Sequence, residues 1–174
     1  MDSHAPRSAA HMAAAIAVAA LAAAPAVGAT SSPPPQKKGA TYSGVTSQGN
    51  DCFFNGQQGQ PCSVSVKVSS DGKRVNPMQI RYRAACERNI TFRSDTIFRN
   101  LSIKKGKFSK NASYPVTLND GSTGTTTVSM HGKFTRKGKK YSVAGDYTAV
   151  SDLSFKDGTT AHCDSGKVTW KAKP

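Results

Sequence analysis

"TTVSMHGKFTRKGKKYSVAGDYTA", residues 126–149, carries the fold in its alternation. Val128, Met130, Gly132 and Phe134 fall on one side of the first arm, with Ser129, His131 and Lys133 on the other. "TRKGKK" then turns the chain at Gly138, and Tyr141, Val143, Gly145, Tyr147 and Ala149 repeat the pattern on the return. Period two sustained over two arms is the mark of half-buried strands joined as a hairpin. The two glycines on the buried face, Gly132 and Gly145, predict close approach of another backbone or a bend where the sheet curls.

The same period recurs on both sides of this hairpin. "CSVSVKVS" (62–69) alternates Val64, Val66 and Val68 with polar residues. Asp71-Gly72 then supplies a tight turn that needs positive φ, and "MQIRYRAAC" (78–86) returns with Ile80, Tyr82 and Ala84 inward. Shorter strands are predicted at "NITFR" (89–93), "FRNLSI" (98–103) and "KFSKNA" (107–112). "KVTWKAK" (167–173) closes the chain with Val168, Trp170 and Ala172 as core residues. No segment sustains a helical period. The expected fold is therefore all-β, a single antiparallel β-sandwich or barrel of about eight or nine short strands.

This domain is expected over residues 39–174. Ahead of it, "MAAAIAVAALAAAPAV" is an apolar run after a short polar start, and "VGA" (Val27 to Ala29) offers the small residues that signal peptidase requires. Residues 1–29 read as a signal peptide cleaved after Ala29, with an uncleaved anchor as the competing reading. "TSSPPPQKK" (30–38) reads as a proline-rich tether. Beyond the leader no stretch is apolar enough to span a membrane, so the expected location is secreted or cell-envelope associated.

All four cysteines, Cys52, Cys62, Cys86 and Cys163, lie in the exported part. An even count in an oxidising compartment predicts two disulfides, with three pairings open. The expected pairs are Cys52–Cys62, closing a short Gly-rich loop, and Cys86–Cys163, joining mid-chain to the last segment. Zinc needs closely paired ligands such as C-x-x-C, which this spacing does not supply. No metal or cofactor is expected.

"TTAHCDSG" (159–166) imitates both the histidine and the serine signatures of chymotrypsin-like proteases. A triad needs side chains converging from separate parts of a fold, and here His162, Asp164 and Ser165 are fused into one short string. In a strand, His162 and Asp164 would share a face and Ser165 would point away. The better reading is structural: Cys163 ends a strand or loop, "DSG" turns, and "KVTW" opens the closing strand. Asp71, Asp120 and Asp157 each precede glycine and read as turn residues. Asp146 and Asp152 could be cast as a glycosidase pair, but any two acids allow that. No catalytic role is expected.

The layout "Y-S-G-x-T-S-Q-G" (42–49), "V-S-x-D-G" (68–72), a cysteine at 86, "H-G-K-F…G-D-Y" (131–147) and "C-D-S-G-K-V-T-W-K-A" (163–172) resembles a group of uncharacterised small secreted all-β proteins of high-GC Gram-positive bacteria. The resemblance implies a fold and a compartment and brings no catalytic residue with it. The Cys52–Cys62 region looks like an addition to that pattern.

Charge is the strongest compositional signal. The chain has a net charge of +14, and the leader holds only Asp2 and Arg7, so the exported part keeps all of it. Such a field attracts polyanions. The cations fall in three clusters: Lys104, Lys105, Lys107 and Lys110; Lys133, Arg136, Lys137, Lys139 and Lys140; and Lys167, Lys171 and Lys173. Lysine predominance suits diffuse attraction more than bidentate base readout, so sequence-specific nucleic-acid binding is not expected. The expected partner is an anionic envelope polymer. A glycan is the alternative, held at Phe53 and Phe54 beside Asn55 and Gln57, where aromatic faces and amides would meet a sugar ring. A structural domain without polymer affinity is the third reading.

Overall fold

The computed structural model describes residues 34–54 and 57–174, with the side chains at 53, 54, 57, 58 and 88 left out. Among the described residues the chain forms twelve strands and one 3-10 turn, Glu87–Asn89. In order they are β1 Thr41–Thr46, β2 Cys52–Phe54, β3 Gln57–Gln60, β4 Ser63–Val68, β5 Arg74–Cys86 and β6 Thr91–Phe98. Then come β7 Leu101–Ser102, β8 Lys107–Thr117, β9 Thr123–Lys137, β10 Lys140–Ser154, β11 Thr160–Asp164 and β12 Val168–Lys173. The all-β expectation holds, but the strands are neither so few nor so short, since β9 and β10 run 15 residues each. No described helix is long and apolar enough to cross a membrane.

Ten strands share one sheet, and six of them close on themselves in the order β5-β4-β1-β12-β10-β11. The ring closes because β5 and β10 are long enough to take two neighbours on one edge. Val143–Tyr147 of β10 pairs with β12 and Val150–Ser154 with β11, which returns to β5 at Cys86 and Ala85. On their other edges β5 carries β6 and β7, while β10 carries β9 and then β8. These outer wings meet through hydroxyls: Thr96 Oγ1 on β6 lies 3.0 Å from the Tyr114 hydroxyl on β8 and 2.8 Å from that of Tyr147 on β10. Burial pushes the Tyr147 hydroxyl pKa far up, so that it stays neutral in this bridge.

Alternation aims the predicted core residues inward, with Tyr141 only partly buried near the hairpin end. Val64, Val66, Val68, Ile80, Tyr82, Val128, Met130, Phe134, Val143, Tyr147, Val168 and Trp170 are all buried, each worth on the order of 1.5–3 kcal/mol in transfer free energy. The buried glycines do a specific job. Gly132 and Gly145 stand opposite each other between Phe108 and Trp170, in the inward row Phe108–Gly132–Gly145–Trp170. With no side chains on the two middle strands, the outer rings reach over them and come within 6.4 Å centroid to centroid. A Cβ on Gly132 would run into the Phe108 ring, and one on Gly145 into the His131 carbonyl and Trp170. Phe134 continues the cluster at 5.3 Å from both Phe108 and Tyr42.

The disulfides are Cys52–Cys62 and Cys86–Cys163, the expected pairs. The second pins β11 to β5 where the ring closes. Between the end of the β4 pairing and the start of β11, the edge of β5 would be bare at Arg83. Gln48 covers it: its Nε2 donates to the Arg83 carbonyl at 2.7 Å, and its Oε1 accepts the Arg83 N–H at 2.9 Å. One side-chain amide thus replaces a strand residue. The described part of the run expected as a tether does not hang free. Gln36 Nε2 donates to the Gly72 carbonyl at 2.9 Å, and the Lys37 N–H donates to the Tyr42 hydroxyl at 2.8 Å.

Candidate anion-binding face

The face opposite the core on β8, β9, β10 and β12 is where the separate lysine clusters meet. Period two sends Lys107, Lys133 and Lys171 outward on their strands, and register does the rest. Lys104 bridges Lys107 across a two-residue turn, in which Lys105 and Gly106 both take positive φ. Lys107 stands opposite Lys133, Lys133 opposite Ala144, and Ala144 opposite Lys171. Four lysines therefore share one row perpendicular to the strands, interrupted by a single small exposed residue. At about 4.8 Å per strand the row spans roughly 19 Å.

Around one end of it lies a shallow groove of about 740 Å³, lined by Arg99, Lys104, Lys107, Lys110 and Lys133 against one carboxylate, Asp146. The core residues Phe108 and Leu101 also border it. Asp146 is itself engaged, its Oδ1 3.2 Å from Nδ1 of His131 directly across on β9. None of the four row lysines makes an ion pair among the described residues; those that occur are at Arg83, Arg93, His131 and His162. Like charges directly opposite across a ladder oppose folding, so the row works against stability.

The expected site residues separate into three groups. Lys104 and Lys107 line the groove; Lys105 is exposed at the turn, and Lys110 also lines the groove although its register position opposite the buried Met130 sets it on the other side of β8 from Lys107. Arg136, Lys137, Lys139 and Lys140 lie farther along, at the β9–β10 turn, where Lys137 faces Lys140. Arg136 is occupied by its own hairpin, its Nε donating to the Gly138 carbonyl at 2.8 Å and its guanidinium stacked 5.1 Å from the Tyr141 ring centroid. Of the glycan candidates, Asn55 lies outside the described residues, and Phe53, Phe54 and Gln57 are described only as backbone of the β2–β3 pairing. Arg99 escaped the sequence reading because only the β5–β6 pairing and the turn after Phe98 carry it to the groove.

The protease-like string is taken apart by the fold. The Ser165 hydroxyl accepts from the Ala149 N–H at 2.8 Å and donates to the Gly166 carbonyl at 2.9 Å, tying the β11–β12 turn to β10. Asp164 Oδ1 accepts the Gly166 N–H within that turn. His162 faces Asp152 instead, with Nδ1 2.7 Å from Oδ1, and this hydrogen bond raises the imidazole pKa above its ordinary value. Asp146 and Asp152 sit six residues apart on one strand, roughly 20 Å, well beyond the roughly 5–9.5 Å of a glycosidase pair. All four cysteines are oxidised.

A second concavity of about 560 Å³ is lined by Gln48, Arg83, Ala85, Thr91, Asp164 and Ser165. Beside it Asp51 accepts from Arg93 at 2.9 Å and from Arg83 at 3.2 Å; the Arg93 hydrogen bond is the main reason its carboxyl lies below the usual range. These contacts anchor the start of the Cys52–Cys62 loop. Among the described residues, the groove and its lysine row thus gather cations that no carboxylate pairs. No family model matches the chain, and neither a curated protein nor a solved structure matches it.

Proposed function

We propose that this is a secreted, non-catalytic module that binds anionic polymers at the cell envelope through the outward face of β8, β9, β10 and β12. The observation that carries the reading is the register, which gathers members of three sequence clusters into one unpaired lysine row. Two disulfides fit an oxidising compartment outside the cytoplasm, in keeping with the leader-like first residues.

The mechanism is counterion release. Neutralising about five charges on a flexible polyanion gives a slope of log affinity against log salt of roughly −3.5. Affinity should therefore fall about three-thousandfold for each tenfold rise in salt. Retention of the purified protein on envelope material across a salt series tests this. Steep loss of retention toward roughly 0.5 M salt is expected, since screening there acts within a few ångströms. Salt-independent retention would contradict the reading and favour an uncharged glycan at the Phe53–Phe54 loop. No retention at any salt would favour a structural role.

A further inference from the structure

We infer that the free edge of β8 docks an extended, acidic segment of a partner protein, which pairs with it as an added strand. Only another polypeptide can pair the backbone groups concerned, so this docking is separate from the polymer binding above. Lys107 exchanges both of its backbone hydrogen bonds with Lys104, at 2.9 Å each, so its N–H and C=O turn away from β9. The β8–β9 register then runs unbroken from Lys107 to Thr117, and in an antiparallel ladder the bonded side alternates from residue to residue. Ser109, Asn111 and Ser113 therefore aim their N–H and C=O groups off the edge of the sheet. All three residues are exposed, and among the described residues no backbone group pairs with them there.

The opening has fixed ends. At one, Lys104 already occupies Lys107; at the other, Pro115 has no N–H to give. Residues 109–113 between them offer roughly 17 Å of strand. A bare edge invites pairing with another copy unless charge or proline blunts it. Here the lysines and the +14 net charge repel a second copy, and the same charges attract an acidic strand. The register sets Lys107 on one face of the sheet, opposite Lys133, and Lys110 on the other, opposite Met130. An added strand meets a lysine on each face, and opposite charges on neighbouring strands favour pairing. β8 itself carries no acid.

The test uses short blocked peptides as probes: one of glutamate and valine, the same peptide N-methylated throughout, and one of lysine and valine. The glutamate peptide is expected to bind about tenfold or more tightly than either control. With it bound, hydrogen exchange should slow about tenfold at the amides of Ser109, Asn111 and Ser113. The amides of Lys110 and Ala112, which the alternation turns toward β9, should change little. Ser109→Pro removes one free N–H at a position equivalent to Pro115 and should weaken binding severalfold; circular dichroism checks that it is folded. Lys110→Glu should shift the preference toward the lysine peptide. Equal affinity for the glutamate peptide and its N-methylated form would overturn the docking, since charge alone would then suffice, and would leave the anionic-polymer reading intact. Slow exchange at the three amides without peptide, rising with protein concentration, would overturn it in favour of a second copy on the edge. Failure of the glutamate peptide to bind while polyanions are retained would overturn it as well.

Discussion

Toward the tip of the β9–β10 hairpin the outward row reads Lys107, Lys133, Ala144, Lys171; toward its base it reads Pro115, Thr125, Asp152, His162. The inward rows behind them differ as well. At the tip, Phe108 and Trp170 meet over two glycines. At the base the row is Tyr114, Thr126, Ser151 and Cys163, with the Thr126 and Ser151 hydroxyls 2.8 Å apart and Cys163 bonded to Cys86. One continuous pair of strands is thus held by aromatic packing at one end and by hydroxyls and a disulfide at the other. Outward, the base pairs Asp152 with His162, and the tip leaves its lysines without a carboxylate partner among the described residues. Folding needs only the inward row. The outward imbalance is therefore where a partner's imprint is to be sought.

The largest effect is expected at the base. Removing Cys86–Cys163 by paired alanine substitutions frees a loop with a separation of 77 residues, against 10 for Cys52–Cys62. The chain-entropy relation gives about 4.5 and about 3 kcal/mol respectively. Urea denaturation should rank the two in that order; a larger loss from the Cys52–Cys62 pair would show that ring closure at β11 is not what the base depends on.

Next comes the tip. Gly145→Ala places a methyl group against the His131 carbonyl and Trp170, and overpacking of this kind costs about 1–3 kcal/mol. The near-ultraviolet signal of Trp170 should change with it. An unchanged melting point would mean that the rings do not depend on the glycine floor.

At the base, Thr126→Val leaves the buried Ser151 hydroxyl without its partner, a loss of about 1–3 kcal/mol. The double variant Thr126→Val with Ser151→Ala should recover much of it. Additive losses would contradict the pairing.

The smallest effect concerns pH. The Asp152 hydrogen bond raises the His162 pKa in the fold, chiefly through the bond itself and further through the charges of Asp152, Glu87 and Asp164. A raised folded value means the contribution to stability is complete below the unfolded histidine pKa of about 6.5 and disappears as pH rises through the folded value. Asp152→Asn should lower the His162 midpoint followed by NMR titration; an unmoved midpoint would rule out the bond as the cause.

How much was legible in the sequence follows from the same two rows. Where the inward residues are apolar, as at Val128, Met130 and Phe134, alternation gave strand, face and turn. The strand read from 126 in fact begins at Thr123, and the one read to 149 runs to Ser154, because their inward positions are Thr126 and Ser151. A buried hydroxyl pair is invisible to a hydrophobic pattern. β8 runs past the predicted 112 to Thr117, through Pro115; the proline is tolerated because β8 is an edge strand and its missing N–H faces no neighbour. Gln48 gives no periodic sign of standing in for a strand. The lysine clusters were visible along the chain, but their fusion into one row needed the register, and Arg99 belonged to no cluster at all.

Position rather than net charge is the central claim, and charge-matched variants test it most directly. One removes Lys104, Lys107 and Lys133 by substitution to glutamine; the other removes Lys67, Lys73 and Lys156, which are equally exposed but lie off the row. Both lose three positive charges. Affinity for inorganic polyphosphate, used as a soluble polyanion and measured across a salt series, should fall about a hundredfold at 0.1 M for the first, with its salt slope reduced by about 2, and fall only severalfold with an unchanged slope for the second. Equal losses of affinity and slope in the two variants would contradict the account.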